Sequence, residues 1–234
     1  SNSRVILIDN EHCNIADNTG TIKLTGSADA AHKLVGLQHW ADELQNLTIH
    51  TSGSNPTYRQ ESALTVNGNL TITAGALTTN TSNHALTVTG RIDIASGATL
   101  TCNSSAVSSA GGVTVTGTLN APDASGSLTI SGEYSNRAID VVGTFNNNDG
   151  TITITYAGQS QIRWPSSSNP HSLVINHASA DIRLAGDMDT AGSREFEGNV
   201  TITAGILSTL DVDGSQNHNL TVAGHTEIGP ASGS

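Results

Sequence analysis

The chain has 234 residues, of which 3% are aromatic and 12% charged, and its 20 acidic against 9 basic side chains leave a formal charge of −11. That balance excludes nucleic acid and an anionic membrane surface as partners, since both repel a net-acidic protein. So few large and charged residues argue against a globular core and suit a narrow aliphatic stack, and with no run of 18 apolar residues and no basic-then-apolar leader, neither a membrane span nor a signal peptide is read.

Val5, Ile6, Leu7 and Ile8 form an apolar run suited to pairing with an exposed strand edge, so 1–20 reads as a terminal strand, cap or subunit-joining segment. From Thr21 to Thr25, aliphatic residues alternate with polar ones, the period of a strand with one buried face. Segment 29–44 departs from this pattern. It reads either as a short amphipathic helix with Leu34, Leu37, Trp40, Ala41 and Leu44 on one side, or as a strand in which Trp40 matches Trp164.

Beyond it the alternation returns in short pieces. Leu64-Thr65-Val66-Asn67-Gly68 recurs as Leu86-Thr87-Val88-Thr89-Gly90 and, after a slightly longer interval, as Val113-Thr114-Val115-Thr116-Gly117. Asn, Gly, Asp and Ser fill the gaps and leave no room for crossover helices. A longer echo overlies this rhythm. Asn69-Leu70-Thr71-Ile72-Thr73-Ala74-Gly75 returns in the second half of the chain as Asn199-Val200-Thr201-Ile202-Thr203-Ala204-Gly205, and Thr21-Ile22-Lys23-Leu24-Thr25 returns at the same interval as Thr151-Ile152-Thr153-Ile154-Thr155. Two super-repeats are therefore read, 21–150 and a truncated 151–234. In the second, 161–171 replaces the irregular segment, so 28–42, 53–60 and 160–171 are variable loops on a constant scaffold.

Short strands, tight turns and a short period, roughly 22 to roughly 27 residues, predict an all-β fold, a β-solenoid of the right-handed parallel β-helix type. Roughly nine coils would make a rod about 40 to 50 Å long. A pair of antiparallel sandwiches ranks second, because sandwich strands must differ from one another to fill a shared core, whereas here equivalent positions keep one residue type.

The phrases running from Ala63 to Gly75 and from His171 to Asp187 resemble the LTVxGxLTIxxGxLxT repeats of very long virion and cell-surface proteins, as in marine phage structural proteins and bacterial haemagglutinin-like adhesins. The resemblance covers nearly the whole chain from Thr21 onward. It implies an extended β-helical fibre or adhesin at a cell surface or virion, and it transfers no functional residue.

Motifs with chemistry are few. Asp187-Met188-Asp189 and Asp211-Val212-Asp213-Gly214 each offer two carboxylates at i and i+2, oxygen ligands of the kind calcium takes, although they supply only part of the six or more a site needs. Ordinary solvated turn carboxylates are the plainer reading, so no cofactor is expected beyond calcium. The same pairs, with Asp93 and Asp181, are what a β-helical polysaccharide depolymerase would use, but the carboxylates look scattered and no catalytic residue is assigned. The nine histidines stand singly, and His84 and His218 share a repeat position, which marks them as structural. Thr-x-Thr runs such as Thr71-Ile72-Thr73 and Thr114-Val115-Thr116 would form an ice-binding array if they stacked on one face, yet the drifting coil length predicts that they shift from face to face. Six Asn-x-Ser/Thr sequons occur, at Asn46, Asn69, Asn80, Asn103, Asn199 and Asn219, with Asn69 and Asn199 expected to be accessible. Cys13 and Cys102 read as separate buried thiols.

The chain stops in mid-repeat after Ile228, which predicts an uncapped end able to join the Val5, Ile6, Leu7 and Ile8 edge of another copy. The expectation is a non-catalytic structural or adhesive protein of an extracellular fibre or virion appendage. It would self-associate, with a surface glycan or receptor as further partner. The alternatives are a receptor- or polysaccharide-binding spike with depolymerase activity, and an ice-binding solenoid.

Overall fold

A computed structural model describes residues 4–8, 20–26, 33–37, 44–51, 57–79, 82–165, 168–185, 193–210 and 217–229. The secondary structure among them is all strand, and every pairing between named strands is parallel. The chain is a β-solenoid of about seven turns. That is fewer than the roughly nine coils expected from the repeat length.

The strands fall into three stacks. Face 1 runs through Leu64–Val66, Leu86–Val88, Ala106–Ser109, Ser127–Ile130, Thr151–Ile154, the starts of Ser172–Ala185 and Val200–Ser208, and Thr226–Ile228. Face 2 runs from Thr21–Gly26 and Asn46–Thr51 through the start of Leu70–Thr78, then Ile92–Ile94, Val113–Val115, Arg137–Val141, Gln159–Arg163 and the ends of Ser172–Ala185 and Val200–Ser208. Face 3 holds Arg4–Ile8, Lys33–Leu37, Thr57–Gln60, the end of Leu70–Thr78, Ala98–Thr101, Thr118–Asn120 and Thr144–Asn146. Ser193–Phe196 and Asn219–Val222 form a separate parallel pair. Segment 29–44, open between helix and strand in the sequence, contains a strand at Lys33–Leu37; Trp40 lies outside the described residues.

The alternation explains the core. On face 2, Leu47, Leu70, Ile92, Val113, Ile139 and Ile162 lie one above another, all buried, and on face 3 so do Tyr58, Leu77, Leu100, Leu119 and Phe145. Each such side chain contributes about 1.5 to 3 kcal/mol on burial, so the rod is held by repetition of one modest term along its axis.

Corners are tight. Where faces 1 and 2 meet, successive coils approach backbone to backbone: the Gly90 amide donates to the Gly68 carbonyl at 2.9 Å and the Gly111 amide to the Gly90 carbonyl at 2.9 Å. A Cβ on Gly132, one coil further, would collide with the Ala110 carbonyl.

The two copies of the repeated heptapeptide sit on different sides. Leu70 pairs with Leu47 and Ile92 on face 2, whereas Val200 pairs with Leu173 and Thr226 on face 1. Their closing glycines, Gly75 (φ 85°) and Gly205 (φ 104°), both take the left-handed conformation that lets one strand turn a corner.

Candidate functional surfaces

Sequence reading made the carboxylates scattered; the structure gathers three of them on face 2, each bonded to arginine. Arg91 bonds Asp93 at 2.8 Å, and its guanidinium carbon lies 3.8 Å from the centre of the Tyr134 ring. Asp140, two rungs along, accepts from Arg137 at 3.0 Å and from Arg163 on the adjacent coil. Asp181 accepts from Arg183 at 2.9 Å and from Gln159 at 2.9 Å. Arg91, Arg137 and Arg183 lie within three positions of their carboxylates, while Arg163 and Gln159 reach theirs from the adjacent coil, a relation invisible to a motif search along the chain. Chemically the strip is a self-neutralised ladder whose carboxylates position arginines.

The bond from Arg183, aided by Gln159, holds the Asp181 carboxyl below the usual carboxylate range against the opposing pull of desolvation. A folded-state pKa that is lowered stabilises the fold above the unfolded pKa and stops doing so as pH falls through the folded value. Replacing Asp181 with Asn is therefore expected to flatten the acid side of the stability profile: the loss in urea midpoint between pH 7 and pH 3 should be smaller in the variant than in the parent.

Face 3 differs in character. Thr99, Thr118 and Thr144 form one outward column in unbroken register, and Thr78, Thr101, Asn120 and Asn146 a second. These threonines keep one face over three rungs, whereas the Thr-x-Thr runs divide between faces as expected, Thr71 and Thr114 on face 2 and Thr87, Thr151 and Thr201 on face 1. The second column is tied together, Asn146 donating to Asn120 at 2.7 Å and Asn120 to Thr101 at 2.8 Å.

The sequon asparagines at one corner are structural. Asn46 Oδ1 accepts the Asn69 amide at 2.9 Å, Asn69 Oδ1 the Arg91 amide at 2.9 Å and Asn199 Oδ1 the His225 amide at 2.8 Å, so each caps the next coil. Asn69 and Asn199 are exposed, as expected of accessible sequons, although the Oδ1 of each is used in joining one coil to the next. Asn103 donates to Thr78 and Thr79, Asn219 is exposed, and Asn80 lies outside the described residues. His218 is buried at 3% exposure and His84 half-buried. Cys102 is a buried free thiol whose pKa burial pushes up to about 12; Cys13 lies outside the described residues.

Of the residues expected to join copies, Val5, Ile6, Leu7 and Ile8 belong to Arg4–Ile8, which pairs with Lys33–Leu37. Ile228 is 74% exposed on Thr226–Ile228, a rung hydrogen-bonded to Val200–Ser208 on one side. The calcium candidates Asp187, Asp189, Asp211 and Asp213 lie outside the described residues. Among the described residues no three His, Cys, Asp or Glu side chains gather as a metal site. Comparison with protein-family models, curated proteins and solved structures gave no match.

Proposed function

We propose that the chain is a non-catalytic structural and adhesive element of an extracellular fibre or virion appendage, built to stack end to end. The observation that carries this reading is the axial repetition from Leu70–Thr78 to Arg137–Val141, where successive rungs offer one another the same parallel hydrogen-bonding edge over a continuous apolar column. Ile228 supports it, since an apolar side chain at 74% exposure on such a rung is suited to cover by a further rung. Electron microscopy of the purified chain across a concentration series tests the reading. Filaments that lengthen with concentration and shorten in Ile228→Lys are expected, and uniform short rods at every concentration would refute end-to-end assembly.

A second reading is favoured by the threonine register on face 3. Paired columns of Thr99, Thr118 and Thr144 and of Thr101, Asn120 and Asn146, with repeats of about 4.8 Å between rungs and about 6.7 Å along a strand, suit contact with an ordered ice surface. Recrystallisation of ice in the presence of the parent chain distinguishes the two.

A further inference from the structure

At the lower end of face 3 an open cleft of about 340 Å3 is lined by Phe145, Asn146, Asn147, Asn148, Asn169 and Glu197, with Ser168 on its rim. These residues come from three successive coils, up to 52 positions apart in sequence. We propose that this cleft is a binding site for a neutral saccharide unit. It stands on the cleft alone and does not require that the chain form fibres.

The argument is one of donors and acceptors. Every asparagine in the lining has its NH2 group engaged within the protein. Asn146 donates to Asn120 Oδ1 at 2.7 Å, Asn148 to the Ala121 carbonyl at 2.9 Å, and Asn169 to Glu195 at 3.3 Å. Asn147 donates to the Asn169 carbonyl at 2.8 Å and to Glu197 Oε2 at 2.8 Å. These bonds fix which end of each carboxamide is which. The Oδ1 atoms of Asn146, Asn148 and Asn169 and the second oxygen of Glu197 accept nothing among the described residues, and each of these three NH2 groups has one bond for its two N–H donors, so the cleft presents acceptors and donors at fixed places.

A tight turn holds this arrangement. Asn148 (φ 48°) and Asp149 (φ 62°) both take the left-handed conformation that Asn and Asp adopt readily, and the Asn147 side chain closes the turn by accepting the Asp149 amide at 3.1 Å.

The ligand's chemistry follows. No cationic side chain lines the cleft and one carboxylate does, which disfavours phosphate, sulfate and uronate groups. The volume falls in the small-molecule range of roughly 300 to 1,000 Å3, far larger than a bare ion needs. Fixed acceptors and donors drawn from three successive coils match the hydroxyl groups around a sugar ring, which both donate and accept.

Saturation-transfer NMR with methyl glycosides of glucose, galactose, mannose and N-acetylglucosamine on the whole chain tests this. The expected result is transfer to at least one glycoside, with a dissociation constant of about 1 mM. Transfer should be abolished in Ser168→Trp, which fills the cleft, and binding weakened about tenfold in Glu197→Gln. It should be unchanged in Glu227→Gln and in the presence of a chelator. Circular dichroism confirms that the variants fold, and Glu197→Gln, at an exposed position, serves if Ser168→Trp does not. Absence of transfer to all four glycosides at 10-fold that concentration, transfer that survives both cleft variants, or transfer lost on chelation would each overturn the assignment, the last in favour of a cation site.

Discussion

Leu100→Asp is expected to leave the chain unfolded at neutral pH. Leu100 is 1% exposed and stacks between Leu77 and Leu119 in the middle of the face 3 column, so the substitution removes packing on both sides and puts a carboxylate where no partner exists. Loss of the leucine alone is worth about 2 to 5 kcal/mol, and desolvation of the acid adds several more, together the size of a whole domain's stability. The pH dependence identifies the cause. A buried acid survives as its neutral form, with a raised folded-state pKa, so its penalty is small below the unfolded pKa near 4 and grows by about 1.4 kcal/mol per pH unit above it. Circular dichroism should therefore show strand signal regained at pH 4 and lost at pH 7, whereas Leu100→Asn should be equally destabilised at both.

Gly132→Ala is expected to cost about 3 kcal/mol, through a different mechanism. The new methyl group meets the Ala110 carbonyl of the preceding coil, backbone against backbone, and no rotamer change can relieve it. The coils must part locally, which strains the bond from the Ser131 amide to the Ser109 carbonyl at 3.0 Å. Gly97→Ala is the matched control: its Cβ would meet nothing within 4 Å, but its φ of 78° penalises any side chain, so it should lose only about 1 kcal/mol. Urea melts of the two variants separate close coil approach from backbone conformation; equal losses would mean that corner contact is not what fixes the rung spacing.

Much of the architecture was legible because a solenoid repeats one local rule. Val or Leu alternating with Thr in Leu64–Val66, Leu86–Val88 and Val113–Val115 specifies strands with one buried face, and the Asn-Gly and Thr-Gly pairs between them specify corners. Lateral relations were not legible. Which residue lies above which depends on how many positions each corner absorbs, and no local signal counts them. Asp140 meets Arg163 across 23 positions and Asn147 meets Glu197 across 50, so the face 2 ladder and the polar cleft emerge only once the coils are stacked. Stacking likewise reveals that the exposed Asn69 and Asn199 each use the carboxamide oxygen to cap the coil beyond, a role their sequons do not announce.

The long echo between the two halves of the chain carries a geometric consequence of its own. Because its interval is not a whole number of turns, Thr71 looks outward beside Thr48 and Asp93, while its counterpart Thr201 looks outward beside Val174 and Glu227, a third of a revolution around the axis. Copying such a segment advances its surface like the thread of a screw. The repeated segment is therefore displayed on two sides of the rod, and can be met from either bearing without the rod having to rotate.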